Sequence, residues 1–329
     1  MTKLVGLEGI VAARGRLRGL TRVTPLLPAR DDTGWLGDAG LWLKCENLQL
    51  AGAFKIRGAS NMALGLSEED RRAGLLTYSS GNHGLAIALT ARTLGVPAVI
   101  VMPTTAPPVK VEGARRLGAE VLFEGTTTLE RKARAEVEAG ERGMTIVPPF
   151  DHERIVEGQG TLGLEIMEQC PGVRRVYVQI GGGGLISGVA TAIKRGRPDV
   201  EIVGVEPAGA ARMTASIAAG RPTTIAIRPG LADGLLAVRP GDITFRHVQA
   251  FVDRIVTIDE PAIAEAVRWL FGEARIVAEP SGAITVAAVA ADRREGRVTD
   301  RAVTVAVISG GNVEASVFAR LIGGAGATL

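Results

Sequence analysis

Apolar runs of strand length alternate with segments of helical period along most of this chain, and few architectures accept that order. Residues 75–78, 98–102, 120–123 and 145–147 read as short buried strands. Between them, residues 84–94, 109–117 and 129–142 place apolar side chains at helical spacing, with Gly or Pro at an end. A second series has strands at 176–180, 201–205, 254–258 and 303–308, and helices at 161–170, 185–195, 211–219, 261–275 and 281–293. Continuously apolar strands separated by helices predict an α/β fold of mainly parallel, twisted sheets covered by helices on both faces. The Pro148-Pro149 pair separates the two series and marks a domain crossing. A length of 329 residues suits two domains at roughly 150 residues each. No internal repeat or low-complexity segment interrupts the pattern, and the C-terminal Gly-Gly-Ala-Gly run is expected to fray.

Composition sets aside several function classes. Thirty-eight Lys and Arg face 35 Asp and Glu, a net charge of +3 that is too small and scattered for a nucleic-acid surface. Two cysteines, Cys45 and Cys170, build no disulfide framework and suit a reducing compartment. The Gly-rich stretch 176–193 contains Gln179 and four consecutive glycines, which makes a poor membrane span. The N-terminus, with Arg14, Arg16 and Arg18, lacks a signal peptide's apolar block, so a cytoplasmic protein with no membrane partner is expected. Gly is the outlier, with 43 residues against a usual share of about 7%.

In open α/β sheets ligands bind beyond the carboxyl ends of strands, where helix N-termini present free N–H groups and partial positive charge. Three such junctions carry unusual turns. Gly181-Gly182-Gly183-Gly184 reads as an anion cradle, because successive glycines let the backbone approach a phosphate closely. A tight turn is the plainer reading, yet turns seldom need four glycines. Gly182, Gly184 and Gly188 with Glu206 offer a third, the dinucleotide loop of a nicotinamide-dependent oxidoreductase; its spacing fails, because Ile186 and Ser187 fill the positions where the third Gly belongs. In Ser79-Ser80-Gly81-Asn82-His83-Gly84, Ser79 or Ser80 is expected to cap a helix, and His83 alone reads as structural. The density of donors in that place nevertheless favours a site. The third junction is Ser309-Gly310-Gly311-Asn312. Lys55 opens a helical stretch reaching Leu66; a solvated lysine is the ordinary reading, but a helix N-terminus disfavours the cation and helps keep an amine nucleophilic.

Taken together, AGAFKIRGA, YSSGNHGLAIA, QIGGGGLISG and VISGGNVE, in that order and spacing, resemble the fold-type II pyridoxal-phosphate enzymes, nearest to the threonine/serine dehydratase and serine racemase group. The likeness runs from Thr24-Pro25-Leu26 to Glu314. It implies a large cofactor-binding domain of residues 1–66 and 150–329, and a small domain of residues 67–149 that binds the substrate carboxylate. By this resemblance Lys55 carries pyridoxal 5'-phosphate as a Schiff base and later takes the substrate's α-proton, with Phe54 packed beside the cofactor. Gly181, Gly182, Gly183, Gly184 and the backbone of Leu185 hold the phosphate, Asn82 bonds the phenolic oxygen, and Ser309 faces the pyridine nitrogen. Ser79, Ser80 and the backbone of Asn82 and His83 receive the substrate carboxylate. A neutral Ser309 does not keep the nitrogen protonated as an Asp would, and the weaker electron sink suits elimination. The implied reaction removes water from L-threonine or L-serine, giving 2-oxobutanoate or pyruvate plus ammonia, in a homodimer.

Several departures bear on this reading. Ala53 stands where many relatives have Ser. Ser80 matches the position that supplies an acid/base in the racemase-like branch, so serine racemisation is an alternative. A 3-hydroxyaspartate dehydratase is another, with Arg131 reaching a distal carboxylate. A β-replacement enzyme of the cysteine synthase type fits the lysine motif less well. In metal-using relatives Glu206 and the Ala210 carbonyl would match two ligands, but Arg212 stands at the third, where a guanidinium ligates no cation and instead neutralises Glu206. No metal requirement is expected. The chain ends about fifteen residues after Glu314, so feedback inhibition through a regulatory domain is not expected.

Overall fold

Strands that are apolar on both faces must be covered on both, and here they form two helix-covered sheets. The computed structural model describes residues 4–36 and 40–323. The first part runs α1 (Leu7–Arg16), β1 (Leu26–Pro28), β2 (Leu41–Cys45), α2 (Lys55–Leu64) and α3 (Glu68–Ala73). The middle carries β3 (Leu75–Thr77), α4 (Asn82–Leu94), β4 (Ala98–Met102), α5 (Pro108–Arg116), β5 (Glu120–Phe123), α6 (Thr128–Arg142) and β6 (Thr145–Ile146). Then follow α7 (Glu153–Gln169), β7 (Arg175–Gln179), α8 (Gly184–Gly196), β8 (Glu201–Pro207), α9 (Arg212–Ala219) and α10 (Asp242–Phe251). The last part is β9 (Arg254–Ile258), α11 (Glu260–Gly272), α12 (Pro280–Arg294), β10 (Thr304–Ile308) and α13 (Ala315–Gly323).

The larger sheet has the order β1-β2-β10-β7-β8-β9, with only β1 antiparallel to its neighbour. The smaller is β5-β4-β3-β6, parallel throughout. In the larger sheet the chain leaves β7 for β8 on one side while β10 lies on the other. In the smaller sheet it leaves β3 for β4 while β6 lies on the other side. Each sheet therefore has a topological switch point, the place where open α/β sheets form a ligand crevice. The loops after β7 and β3 are the tetraglycine run and the Ser79–Gly84 turn. Helix α2 packs against both α4 and α7, which couples the layers around the two sheets. The expected α/β fold with parallel sheets is what the chain adopts.

Some expectations need correction. Strand β2 was absent from the predicted pattern because Lys44 interrupts its apolar run; Lys44 is buried and bonded to Glu165 at 2.7 Å and to the Thr24 carbonyl at 2.7 Å. Helix α7 begins at Glu153, eight residues before the predicted start, across glycines that lower helix propensity. Those glycines permit close packing: a Cβ at Gly158 would stand 2.6 Å from the Arg57 carbonyl, and one at Gly160 2.7 Å from Ile10 Cδ1. Helix α10 was not anticipated because its cap is remote; Asp151 accepts from the N–H groups of Asp242, Ile243 and Thr244. The expected cap of α4 by Ser79 or Ser80 is overturned, since its N-cap is Gly81 and no side chain caps it. The C-terminal tail expected to fray lies, after Gly323, outside the described residues.

Beneath α2 sits a buried ionic cluster. Arg57, two residues after Lys55, donates from Nε to Glu46 at 2.7 Å and from Nη1 to Glu165 at 2.6 Å, and all three are essentially hidden from water. The cluster ties α2 to the segment after β2 and to α7. Removing one partner of a buried pair leaves the other charge uncompensated. Arg57→Met is therefore expected to lose about 3–5 kcal/mol, read as a fall in the denaturation midpoint. Arg72→Ala, which removes the exposed Arg72–Glu68 pair, is expected to change stability by less than about 1 kcal/mol.

Candidate active site

The carboxyl ends of β3, β7 and β10 face a shared cavity of about 680 Å³ lined by all three loops and by Lys55. Backbone stitching brings Lys55 and Ser309 together. Ala53 bridges to Gly310, and the Phe54 N–H donates to the Ser309 carbonyl at 3.0 Å. Lys55 is the first residue of α2, and its Nζ lies 5.2 Å from the centroid of the Phe54 ring. That Nζ donates to the Pro149 carbonyl at 2.7 Å, on the segment joining the two sheets. Burial pushes the amine down to about 8, against the opposing pull of the Glu279 carboxylate. Part of this amine is thus neutral near physiological pH, the form that acts as a nucleophile.

The tetraglycine loop is shaped from behind. The Gly181 carbonyl accepts from Arg212 at 2.9 Å, and the Gly182 carbonyl accepts from Thr244 Oγ1 at 2.6 Å and the Gly241 N–H at 3.3 Å. The following N–H groups therefore point away from those donors, because C=O and N–H of a trans peptide are opposed. Gly184 and Leu185 open α8, where N–H groups have no partner a turn earlier in the helix. A Cβ on Gly182 would land 2.3 Å from the Phe150 ring, and Gly183 has φ +100°, so neither accepts a side chain easily. Among the described residues these N–H groups have no acceptor, and, ahead of a helix dipole, they fit a phosphate.

Asn82 opens α4 and donates from Nδ2 to Glu279 Oε1 at 2.7 Å, while its Oδ1 accepts from Asn312 Nδ2 at 2.8 Å. Its second Nδ2 hydrogen is left for another acceptor. Sequence reasoning missed Glu279: followed by Pro280 at the start of α12, it reads as an ordinary helix opening. Burial, reinforced by the Asp233 charge, raises its carboxyl to about 7. Pro149, Phe150, Asp233 and Ser281 also line the cavity without having been anticipated. Ser79 and Ser80 line it too, with hydroxyls not engaged in capping. Ser309, just after β10, is buried and lines the cavity. The His83 imidazole is buried against the Val147 carbonyl at 2.9 Å, and burial drives it down to about 3, so it is neutral; only its backbone stands at the helix opening. Arg131 lines the cavity, but its guanidinium donates to the Tyr78 and Thr126 carbonyls and to Thr128 Oγ1, which ties it to neighbouring loops.

Glu206 faces away from this cavity. It is buried and accepts from the N–H groups of Met213 at 2.8 Å and Thr214 at 2.9 Å, so no ribose-binding acid is presented. An amine of lowered basicity opposite a glycine phosphate cradle is the donor set that an aldehyde cofactor with an anionic tail requires.

Residues 17–310 match the family model described as pyridoxal-phosphate dependent enzyme. The chain belongs to this family. An L-threonine ammonia-lyase from Thermotoga maritima is 41% identical over 97% of this chain and 78% of that protein. The processed form of threonine deaminase isoform 2 from Solanum lycopersicum superposes with a TM-score of 0.91 at 34% identity, covering 99% of this chain and 96% of that one. A serine racemase from maize superposes with a TM-score of 0.89 at 36% identity, covering 95% of each chain. The cofactor is therefore pyridoxal 5'-phosphate, and the nicotinamide reading is set aside. Among the described residues no helix is long and apolar enough to cross a membrane.

The Lys55 environment has a pH consequence. Its amine is neutral above its own pKa and protonated below it. Adduct formation between Lys55 of the cofactor-free chain and a small aldehyde, trapped with borohydride and located by peptide mapping, is expected to rise with pH, with its midpoint at about 8. A midpoint near about 10, as for a solvated lysine, would contradict the desolvation described.

Proposed function

We propose that the protein is a threonine/serine ammonia-lyase, removing water from L-threonine or L-serine to give 2-oxobutanoate or pyruvate plus ammonia. The observation that carries this reading is the Lys55 amine, of lowered basicity, in one cavity with the tetraglycine loop and a neutral Ser309. The names and near-complete coverage of the relatives support it. Bound pyridoxal 5'-phosphate supplies an electron-withdrawing ring that acidifies the substrate's Cα–H. Lys55 anchors the cofactor aldehyde and moves the α-proton, with Phe54 packed alongside. The N–H groups of Gly181–Leu185 hold the phosphate, the free Nδ2 hydrogen of Asn82 meets the phenolic oxygen, and Ser309 meets the ring nitrogen without charging it. Ser79, Ser80 and the backbone N–H groups of Asn82 and His83 orient the substrate carboxylate at the opening of α4. In this reading residues 67–149 form the small carboxylate-binding domain, and residues 1–66 with 150–329 form the cofactor-binding domain.

The test is Lys55→Ala. Turnover of L-threonine, followed as 2-oxobutanoate, is expected to fall at least about 10³-fold while circular dichroism stays unchanged. Full activity in that variant would refute the assignment. A second reading, serine racemisation, is favoured by the Ser80 hydroxyl, which lines the cavity and caps nothing. Chiral chromatography of L-serine incubated with the protein is expected to show pyruvate without D-serine. D-Serine that vanishes in Ser80→Ala would establish the racemase instead.

A further inference from the structure

The first residue of α9, Arg212, is among the largest completely buried side chains of the protein, and its partners are almost all backbone carbonyls. The guanidinium donates from Nη1 to Gly181 O at 2.9 Å and to Ile180 O at 3.3 Å, and from Nε to Ala210 O at 2.9 Å, with Nη2 on the same Ala210 oxygen. Among the described residues its one acidic neighbour is Glu206, 3.7 Å from Nε and itself fully buried. Glu206 is in turn held by the Met213 and Thr214 N–H groups of the same helix. A full cation has thus been taken out of water to grip the end of β7 and the first peptide of the glycine loop.

We propose that Arg212 is a positioning residue for the phosphate cradle, acting through the Gly181 and Ile180 carbonyls. Glycines impose little on their own backbone, so four in succession have no intrinsic preferred orientation of peptide planes. Each plane must be set from outside. A carbonyl pulled back toward Arg212 turns the opposed N–H of the same trans peptide forward. Arg212 does this for the N–H groups of Gly181 and Gly182, and Thr244, through the Gly182 carbonyl, does it for Gly183. The planar fork reaches three carbonyls at once, whereas an ammonium is a point charge with no such spread. The proposal rests on reading Gly181–Leu185 as the phosphate site and adds what orients it.

The experiment compares two aldehydes on the full-length chain stripped of cofactor: pyridoxal 5'-phosphate and pyridoxal, which lacks the phosphate. Their dissociation constants are read from absorbance titrations, and the phosphate environment from phosphorus NMR of the loaded protein. Wild-type protein is expected to hold the phosphorylated form much more tightly. Arg212→Met is expected to weaken pyridoxal 5'-phosphate by about ten- to a hundredfold, the loss of charge-assisted bonds that orient the loop, and to leave pyridoxal unchanged. Arg212→Lys, which keeps a charge opposite Glu206, is expected to show the same selective loss to a smaller degree. If Arg212→Met does not fold by circular dichroism, Arg212→Lys decides. Wild-type protein that does not discriminate between the aldehydes removes the cradle reading and this proposal with it. Discriminating wild-type protein whose variants weaken both aldehydes equally, weaken neither, or both fail to fold overturns the role of Arg212 alone.

Discussion

Three chain segments far apart in sequence meet at Gly310, and the active cavity depends on how closely they meet. The Gly311 N–H donates to the Gly52 carbonyl at 2.9 Å, the Phe54 N–H to Ser309 at 3.0 Å, and the Glu279 N–H to Gly310 at 3.1 Å. A Cβ on Gly310 would stand 2.6 Å from Glu279 Oε1 and 3.1 Å from the Ala53 Cβ. The start of α2, the end of β10 and the start of α12 are thus laced by main-chain bonds around a residue with no side chain. This lacing holds the Lys55 backbone beside Ser309, and the buried Arg57 cluster keeps the rest of α2 from moving away.

The same enclosure sets the chemistry. Removing water lowers the stability of charged forms of either sign. It pulls the Lys55 amine down to about 8 and lifts the Glu279 carboxyl to about 7. The two groups still attract, which limits the fall at Lys55. Asn82 is held between Glu279 and Asn312, so the first residue of α4 is fixed to elements of the larger sheet. The turn after β3 is therefore placed in part by partners on the larger sheet's side.

Much of this was legible in sequence. Strands β4, β5 and β9 fall at the expected bounds, and the three polar or Gly-rich turns lie where parallel strands deliver them. Much of what escaped depends on a distant partner. Lys44 reads as a break in a strand until Glu165 is seen beneath it. The Gly-rich start of α7 reads as a loop until Arg57 and Ile10 are found where its side chains would be. Glu279 is indistinguishable in sequence from an ordinary helix opening, and only the loss of water around it reveals a site residue. In sequence Ser79 or Ser80 reads as the cap of α4, but the turn after β3 runs on before winding into the helix and Gly81 takes the N-cap position. In sequence Arg212 reads as a charge beside Glu206; its grip on the Gly181 and Ile180 carbonyls needs the fold.

The Nζ of Lys55 donates to the carbonyl of Pro149, within the connection that runs from the small sheet to α7. The next residue, Phe150, sets its ring where a Cβ on Gly182 would fall. The crossing between the two sheets is thus itself a wall of the cavity, touching the amine with one residue and the glycine loop with the next. The span that joins the halves of the molecule and the gauge between its reactive nitrogen and its anion cradle are one dimension.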